Sequence, residues 1–327
     1  MEKIKQIIEQ LEDSKVFIKR DTINNYRISF MLTDNVVELM LKDLSEAALY
    51  KNGVDSALNL AFKQFEHVKK KFDVKEKVFQ ELSKSKIKKI KENFTAKANY
   101  LVQTGSIDEI TAACLNKLHD IRNATYHHAI VNKSTIYIFS LLYFRLACKI
   151  FEIHSAHYVF SSDHNNNFAF LRYGIKKPLD INSEGPQVIA NSLVSDMQLE
   201  LEQVCGVLIE SILKYKKQID DALKDILHYS NFKTKDDVFK LAISLVKNSK
   251  YPTKKEFEEL FLEVDEKKIN SWIKSTEKWK KEKCIENVFI KYIDLEKKII
   301  QYVDAFERIV SDIESYIQVQ IDISRGK

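Results

Sequence analysis

Glycine and proline are nearly missing, with 6 and 3 among 327 residues. Sheets of many short strands need turn residues at each reversal, so this scarcity disfavours β-rich plans and predicts an all-α chain. Cysteine is scarce as well. Cys114, Cys148, Cys205 and Cys284 lie far apart with no CxxC pair, which argues against a zinc ribbon and a disulfide framework and points to a reducing cytosol. No apolar run is long and unbroken. The longest, over 136–153, is interrupted by Arg145, Lys149 and Glu152, so it reads as a buried helix rather than a membrane span. The opening Met1-Glu2-Lys3-Ile4-Lys5 is charged, unlike a secretory leader. A Gly-rich phosphate loop and a Ser-His-Asp order are also missing, which removes two common routes to enzymatic chemistry.

What is present is helical periodicity. After a turn-rich N-terminal stretch, Met31, Leu32, Val36, Val37, Leu39, Met40 and Leu44 form a broad apolar stripe over 28–49, and Asn52-Gly53 is expected to end that helix. A lysine-rich helical region follows over 55–101, with a break expected near Phe72-Asp73. Ser106 reads as an N-cap, with Glu109 completing a capping box for a helix to about residue 122. An apolar helix over 134–151 closes a first bundle, 1–156, and with its neighbours is the expected place for a dimer contact. Residues 157–186 read as a connector with a small surface hairpin, and Pro178 and Gly185-Pro186 mark the boundary. Residues 187–327 form a second helical domain, with helices expected over 187–229, 235–248, 253–263, 266–281 and 285–319. The last keeps an unbroken 3-4 spacing whose breadth suits packing within the chain before pairing with another copy.

Charge is uneven along this framework. Residues 63–97 hold 12 lysines against 5 acidic residues, a local +7 in a chain whose net charge is +5. A concentrated cationic segment attracts a polyanion such as RNA, with Lys86, Lys88, Lys89 and Lys91 as candidate phosphate contacts. On charge alone a solvated helix face is the plainer reading.

The chemistry-bearing stretch is 118–128, which contains Arg122-Asn123-Ala124-Thr125-Tyr126-His127. Arginine is a permanent cation with a planar fork suited to phosphate, and histidine gives and takes protons near neutral pH. Together they are the minimum set for cutting a phosphodiester without a metal. Residues five apart on one helix are about 140° apart around its axis, so the helix is expected to end or bend between Arg122 and His127, or each side chain to meet a second copy. Asn123 is a weak helix former that would help to end it. A capping pair at a helix end, with Arg122 on a carboxylate and His127 half buried, is the competing structural reading.

This arrangement, Arg-x4-His with Asn directly after the Arg between two helices of an all-α bundle, resembles the HEPN (higher eukaryotes and prokaryotes nucleotide-binding) superfamily. The resemblance covers roughly 24–156. It implies Arg122 and His127 as catalytic residues, Asn123 as the polar residue that follows the arginine, and composite sites where two such domains face each other. His128 gives an alternative spacing, and Asp120 is an auxiliary candidate for orienting a site group. The subgroup with a tyrosine two residues after the histidine is not matched, because Ala129 stands there.

The function expected is therefore a metal-independent endoribonuclease, a toxin or defence effector, acting as a cytoplasmic homodimer with no cofactor and no membrane, with an antitoxin or regulatory protein as a further partner. The other reading is a catalytically silent HEPN-like module that binds RNA, nucleotide or a protein partner. Two further features carry less. His154 and His157, with His164, read as solvent-facing histidines rather than metal ligands, and Trp272 and Trp279 among lysines read as core packing rather than a nucleic-acid contact.

Overall fold

Ile4, Ile7, Ile8, Leu11 and Ile18 recur at intervals close to one helical turn, and all are buried on one face of α1 (Glu2–Lys19). The N-terminal stretch is thus a helix and not a run of turns; its isoleucines give the amphipathic period, and the intervening charges face water. Asp21, with φ of 49°, makes the reversal into α2 (Ile23–Gln64), since a short polar side chain tolerates the left-handed conformation. The structure, a computed structural model, describes residues 2–64, 81–127, 132–156, 171–175, 185–230 and 232–325, the side chains of Phe62, Tyr126, His127 and Ala156 excepted. Among these residues there are twelve α-helices and one 3-10 helix, with no strand.

α2 does not stop at Asn52-Gly53 but runs to Gln64. Gly53 keeps a negative φ, and the residues beyond it, Ala57, Leu58, Leu60 and Ala61, are good helix formers that outweigh one glycine. Next come α3 (Lys84–Glu92) and α4 (Phe94–Gln103), joined by Asn93, whose backbone caps the first and whose side chain caps the second. The break expected near Phe72-Asp73 and the hairpin expected within 157–186 fall mostly outside the described residues.

α5 (Glu109–His127) begins one residue after Asp108, whose Oδ1 accepts the Thr111 N–H at 2.7 Å. Asp108 is the cap, and Ser106 lies in the preceding turn. α6 (Lys133–Ala156) is buried along most of its circumference by its own unit, with Ile136, Leu142, Tyr143, Phe144, Ala147 and Phe151 in the core. Arg145, Lys149 and Glu152 fall four and three residues apart, so they share one solvent stripe. The apolar faces of this helix are already covered within its own unit.

The chain divides into two compact units, Met1–Leu199 and Glu200–Lys327. α7 (Gly185–Val194) packs on α6 and α1 and belongs to the first, so the helix expected over 187–229 is two helices in two units. Within the first unit α2 is central, lying against α1, α6, α4 and α5. In the second, α8 (Leu201–Tyr229) and α12 (Ile285–Ser324) form the main pair, with Leu208, Ile212, Phe289, Ile299 and Phe306 among their buried residues. α9 (Lys235–Asn248), the short α10 (Lys254–Glu259), α11 (Glu266–Ser275) and a 3-10 turn (Thr276–Lys281) complete it. None of these helices is long and apolar enough to cross a membrane.

Candidate functional site

Two apolar stripes each carry a polar residue where a hydrophobe is expected. On α2 the stripe Phe30, Asp34, Val37, Leu41 has spacing 4-3-4, and Asp34 is fully buried along with its apolar neighbours. On α5 the stripe Ala112, Leu115, His119, Arg122 has spacing 3-4-3 and turns from apolar to polar over its last turn. The two helices pack together, so these polar positions meet.

Asp34 is the centre of the cluster. Its Oδ1 accepts the Tyr143 hydroxyl at 2.6 Å and lies 2.8 Å from His119 Nδ1. Its Oδ2 is 3.1 Å from Arg122 Nε. That last pair lacks the alignment of a hydrogen bond, so it acts as an ion pair by proximity of charge. A buried carboxylate without cationic and hydrogen-bonding partners is strongly disfavoured, and this set supplies both. Burial first, and then the charge and hydrogen bond of Asp34, raise the Tyr143 hydroxyl well above its ordinary pKa, so it remains a donor.

Arg122 reaches outward from this anchor, its side chain 25% exposed. One terminal nitrogen donates to Asn123 Oδ1 at 2.9 Å and the other to Asn35 Oδ1 at 3.4 Å. A guanidinium has five N–H groups, so each terminal nitrogen keeps one hydrogen for an incoming acceptor. Asn123 is thus in contact with Arg122. The His119 ring stacks on Phe94 at the start of α4, with centroids 4.0 Å apart and planes 5° apart.

α5 continues as one helix from Arg122 through His127, the last described residue of this stretch, with no break between the two. Asn123 does not end it because its propensity penalty is only a few tenths of a kcal/mol, and Thr125 bonds back to the Ile121 carbonyl at 2.7 Å within the helix. The two positions therefore lie about 140° apart around the axis. The His127 side chain and all of His128 lie outside the described residues. Asp120 is exposed on the solvent side of α5, about 160° around the axis from Arg122; the carboxylate that orients the arginine is Asp34. Lys88, Lys89 and Lys91 are exposed on α3 and Lys86 is half-buried, around a helix anchored by the buried Ile90.

The lesser candidates resolve as packing. His154 is fully buried with Nε2 3.0 Å from Asp43 Oδ2, so it is a core histidine on a carboxylate and not a solvent-facing one. His157 and His164 lie outside the described residues, and among those described no three metal-ligating side chains come together. Trp279 is buried in the 3-10 turn, and Trp272 lies 6.1 Å from Tyr302. A groove of about 990 Å³ lies along the second half of α2, lined in part by Tyr50, Leu60, Lys63, Glu81 and Lys91, and shares no residue with the Asp34 cluster.

Sequence reasoning finds Arg122 and Asn123 but passes over Asp34, Tyr143 and Phe94, and gives His119 no role. The signal for Asp34 is present: a lone acid within an apolar 4-3-4 stripe is a buried charge that needs partners. No family model matches the chain, and no curated protein and no solved structure matches it either.

Proposed function

We propose that the protein is a metal-independent RNA endonuclease of HEPN type, working as a homodimer in the cytosol as a toxin or defence effector, under the control of an antitoxin or regulatory protein. The observation that carries this reading is the setting of Arg122. A buried carboxylate fixes its inner edge, and two N–H groups remain at a partly exposed outer edge, the arrangement suited to a phosphate. In the reaction the ribose 2′-oxygen attacks the adjacent phosphorus and the bond to the 5′-oxygen breaks. Arg122 stabilises the charge that builds on the phosphate, and His127 of the facing copy exchanges a proton with the attacking or leaving oxygen, because the two positions of one copy lie about 140° apart on an unbroken helix. The products are a 2′,3′-cyclic phosphate and a 5′-hydroxyl. DNA, which lacks the 2′-OH, is resistant.

The test is incubation of the purified chain with RNA in EDTA. Arg122→Ala is expected to lower cleavage by about 100-fold or more and to lower the melt as well, because it strips the buried Asp34 of its charge partner, and His127→Ala to abolish cleavage with an unchanged melt. Undiminished cleavage by either variant removes the assignment. A second reading, a silent module that binds RNA, nucleotide or a protein, draws on the same contacts: Asp34, Asn123 and Asn35 already give Arg122 a complete structural role. Binding of RNA by the wild type with no cleavage is the outcome that selects it.

A further inference from the structure

We infer that His119 is a second catalytic histidine of this site, the general base that takes the proton of the ribose 2′-OH, with Asp34 as the positioning residue behind it. This deepens the nuclease reading above and rests on it.

Two contacts fix the imidazole. Its Nδ1 faces the buried Asp34 carboxylate at 2.8 Å, so in the neutral ring the proton sits on Nδ1 and the lone pair on Nε2. Its face lies flat on Phe94, which holds the ring plane. Asp34 is itself held by Tyr143 and Arg122, so it cannot swing away. The Nε2 edge takes no hydrogen bond among the described residues, and the side chain is 17% exposed. An open basic edge on one side and a carboxylate behind the other is the arrangement a general base uses, and the partial exposure of His119 separates it from the fully buried His154 on Asp43.

The position also fits the arginine. His119 and Arg122 are three residues apart on α5, neighbours on one face, so a phosphate held on the outer N–H groups of Arg122 brings its ribose towards Nε2. In the step, Nε2 removes the 2′-OH proton, the 2′-oxygen forms its bond to phosphorus, and the phosphorus–5′-oxygen bond breaks. The 5′-oxygen then takes a proton from His127 in the reading proposed above. Asp34 stabilises the imidazolium that His119 becomes.

The experiment uses the full chain, EDTA and two probes: an RNA for cleavage, and the same RNA with 2′-O-methyl riboses, which cannot be cut, for binding by anisotropy. His119→Asn places an amide N–H where Nδ1 stands, so it keeps the donor for Asp34 but has no titratable nitrogen. It is expected to lower the rate at saturating RNA by about 100-fold or more, with binding within about threefold and an unchanged melt. His119→Ala opens space beside Phe94, and added imidazole is expected to restore part of its rate. Wild-type rates in His119→Asn overturn the inference and leave the nuclease reading standing. So does a loss that follows weakened binding or melting and is not rescued by imidazole in His119→Ala, which marks a structural histidine. A wild type that leaves RNA intact overturns both.

Discussion

Asp108 sits one residue before α5 and holds three donors at once. Its oxygens accept the Thr111 N–H and hydroxyl, each at 2.7 Å, and the Lys149 ammonium at 2.9 Å. Partial burial raises its pKa, but the hydrogen bonds from Lys149 and Thr111 and the lysine charge outweigh that and bring it to about 2, against an ordinary 3.8. A carboxyl whose folded pKa is depressed contributes stability above its unfolded pKa and loses it as pH falls through the folded one. The stability advantage of wild type over Asp108→Asn, which keeps the cap but loses the charge, is therefore expected to shrink between about pH 4 and about pH 2. Urea melts at several pH values measure it, and an advantage that stays constant over that range refutes the account. The same scale shows what a sequence reveals of a site. Arg122 and Asn123 stand out because they form a motif. Asp34, Tyr143 and Phe94 come from three other helices, and only packing of α2, α4 and α6 against α5 assembles them.

The elements themselves are largely legible. The helices over 235–248 and from residue 285 start as their periodicity predicts, because a 3-4 apolar spacing that must be buried leaves little choice of register. What misleads is local punctuation. Asn52-Gly53 reads as a stop, but a turn requires the chain to gain something by reversing there, and α2 instead keeps its backbone bonds through the pair. The isoleucine spacing of α1 is equally visible in the sequence, and reading that stretch as turns gives its charged residues too much weight. Gly53 is exposed, has helical φ, and a Cβ added there would meet nothing within 4 Å. Gly53→Ala is therefore expected to raise stability by about 0.5–1 kcal/mol, through lower backbone entropy in the unfolded chain and better propensity in the folded one. Chemical denaturation gives the number, and a destabilised variant would mean that α2 is not helical at that point.

At the scale of the whole molecule the question is what the uneven charge is for. The excess positive charge of 63–97 reaches the described structure mainly through α3, a two-turn helix held by Ile90 with its lysines around the solvent side. Lys88 is 4.0 Å from Glu92, an exposed pair whose mutual attraction water largely screens. α3 connects through Asn93 alone to Phe94, the residue that stacks on His119, so the chain carries this cationic helix directly to the candidate site. If it tracks an RNA backbone, every phosphate it contacts releases counterions, and binding weakens with salt by about 0.7 to 0.9 in the log–log slope per contact. Replacing Lys86, Lys88, Lys89 and Lys91 with Gln is then expected to raise the dissociation constant for all RNA sequences alike and to flatten its salt dependence. The rate at saturating RNA should hardly move, because Arg122, His119 and His127 are untouched. Titrations at two salt concentrations separate the cases: a shallower slope with weaker binding assigns α3 to the RNA backbone, and unchanged binding at low salt leaves its lysines as a solvated face.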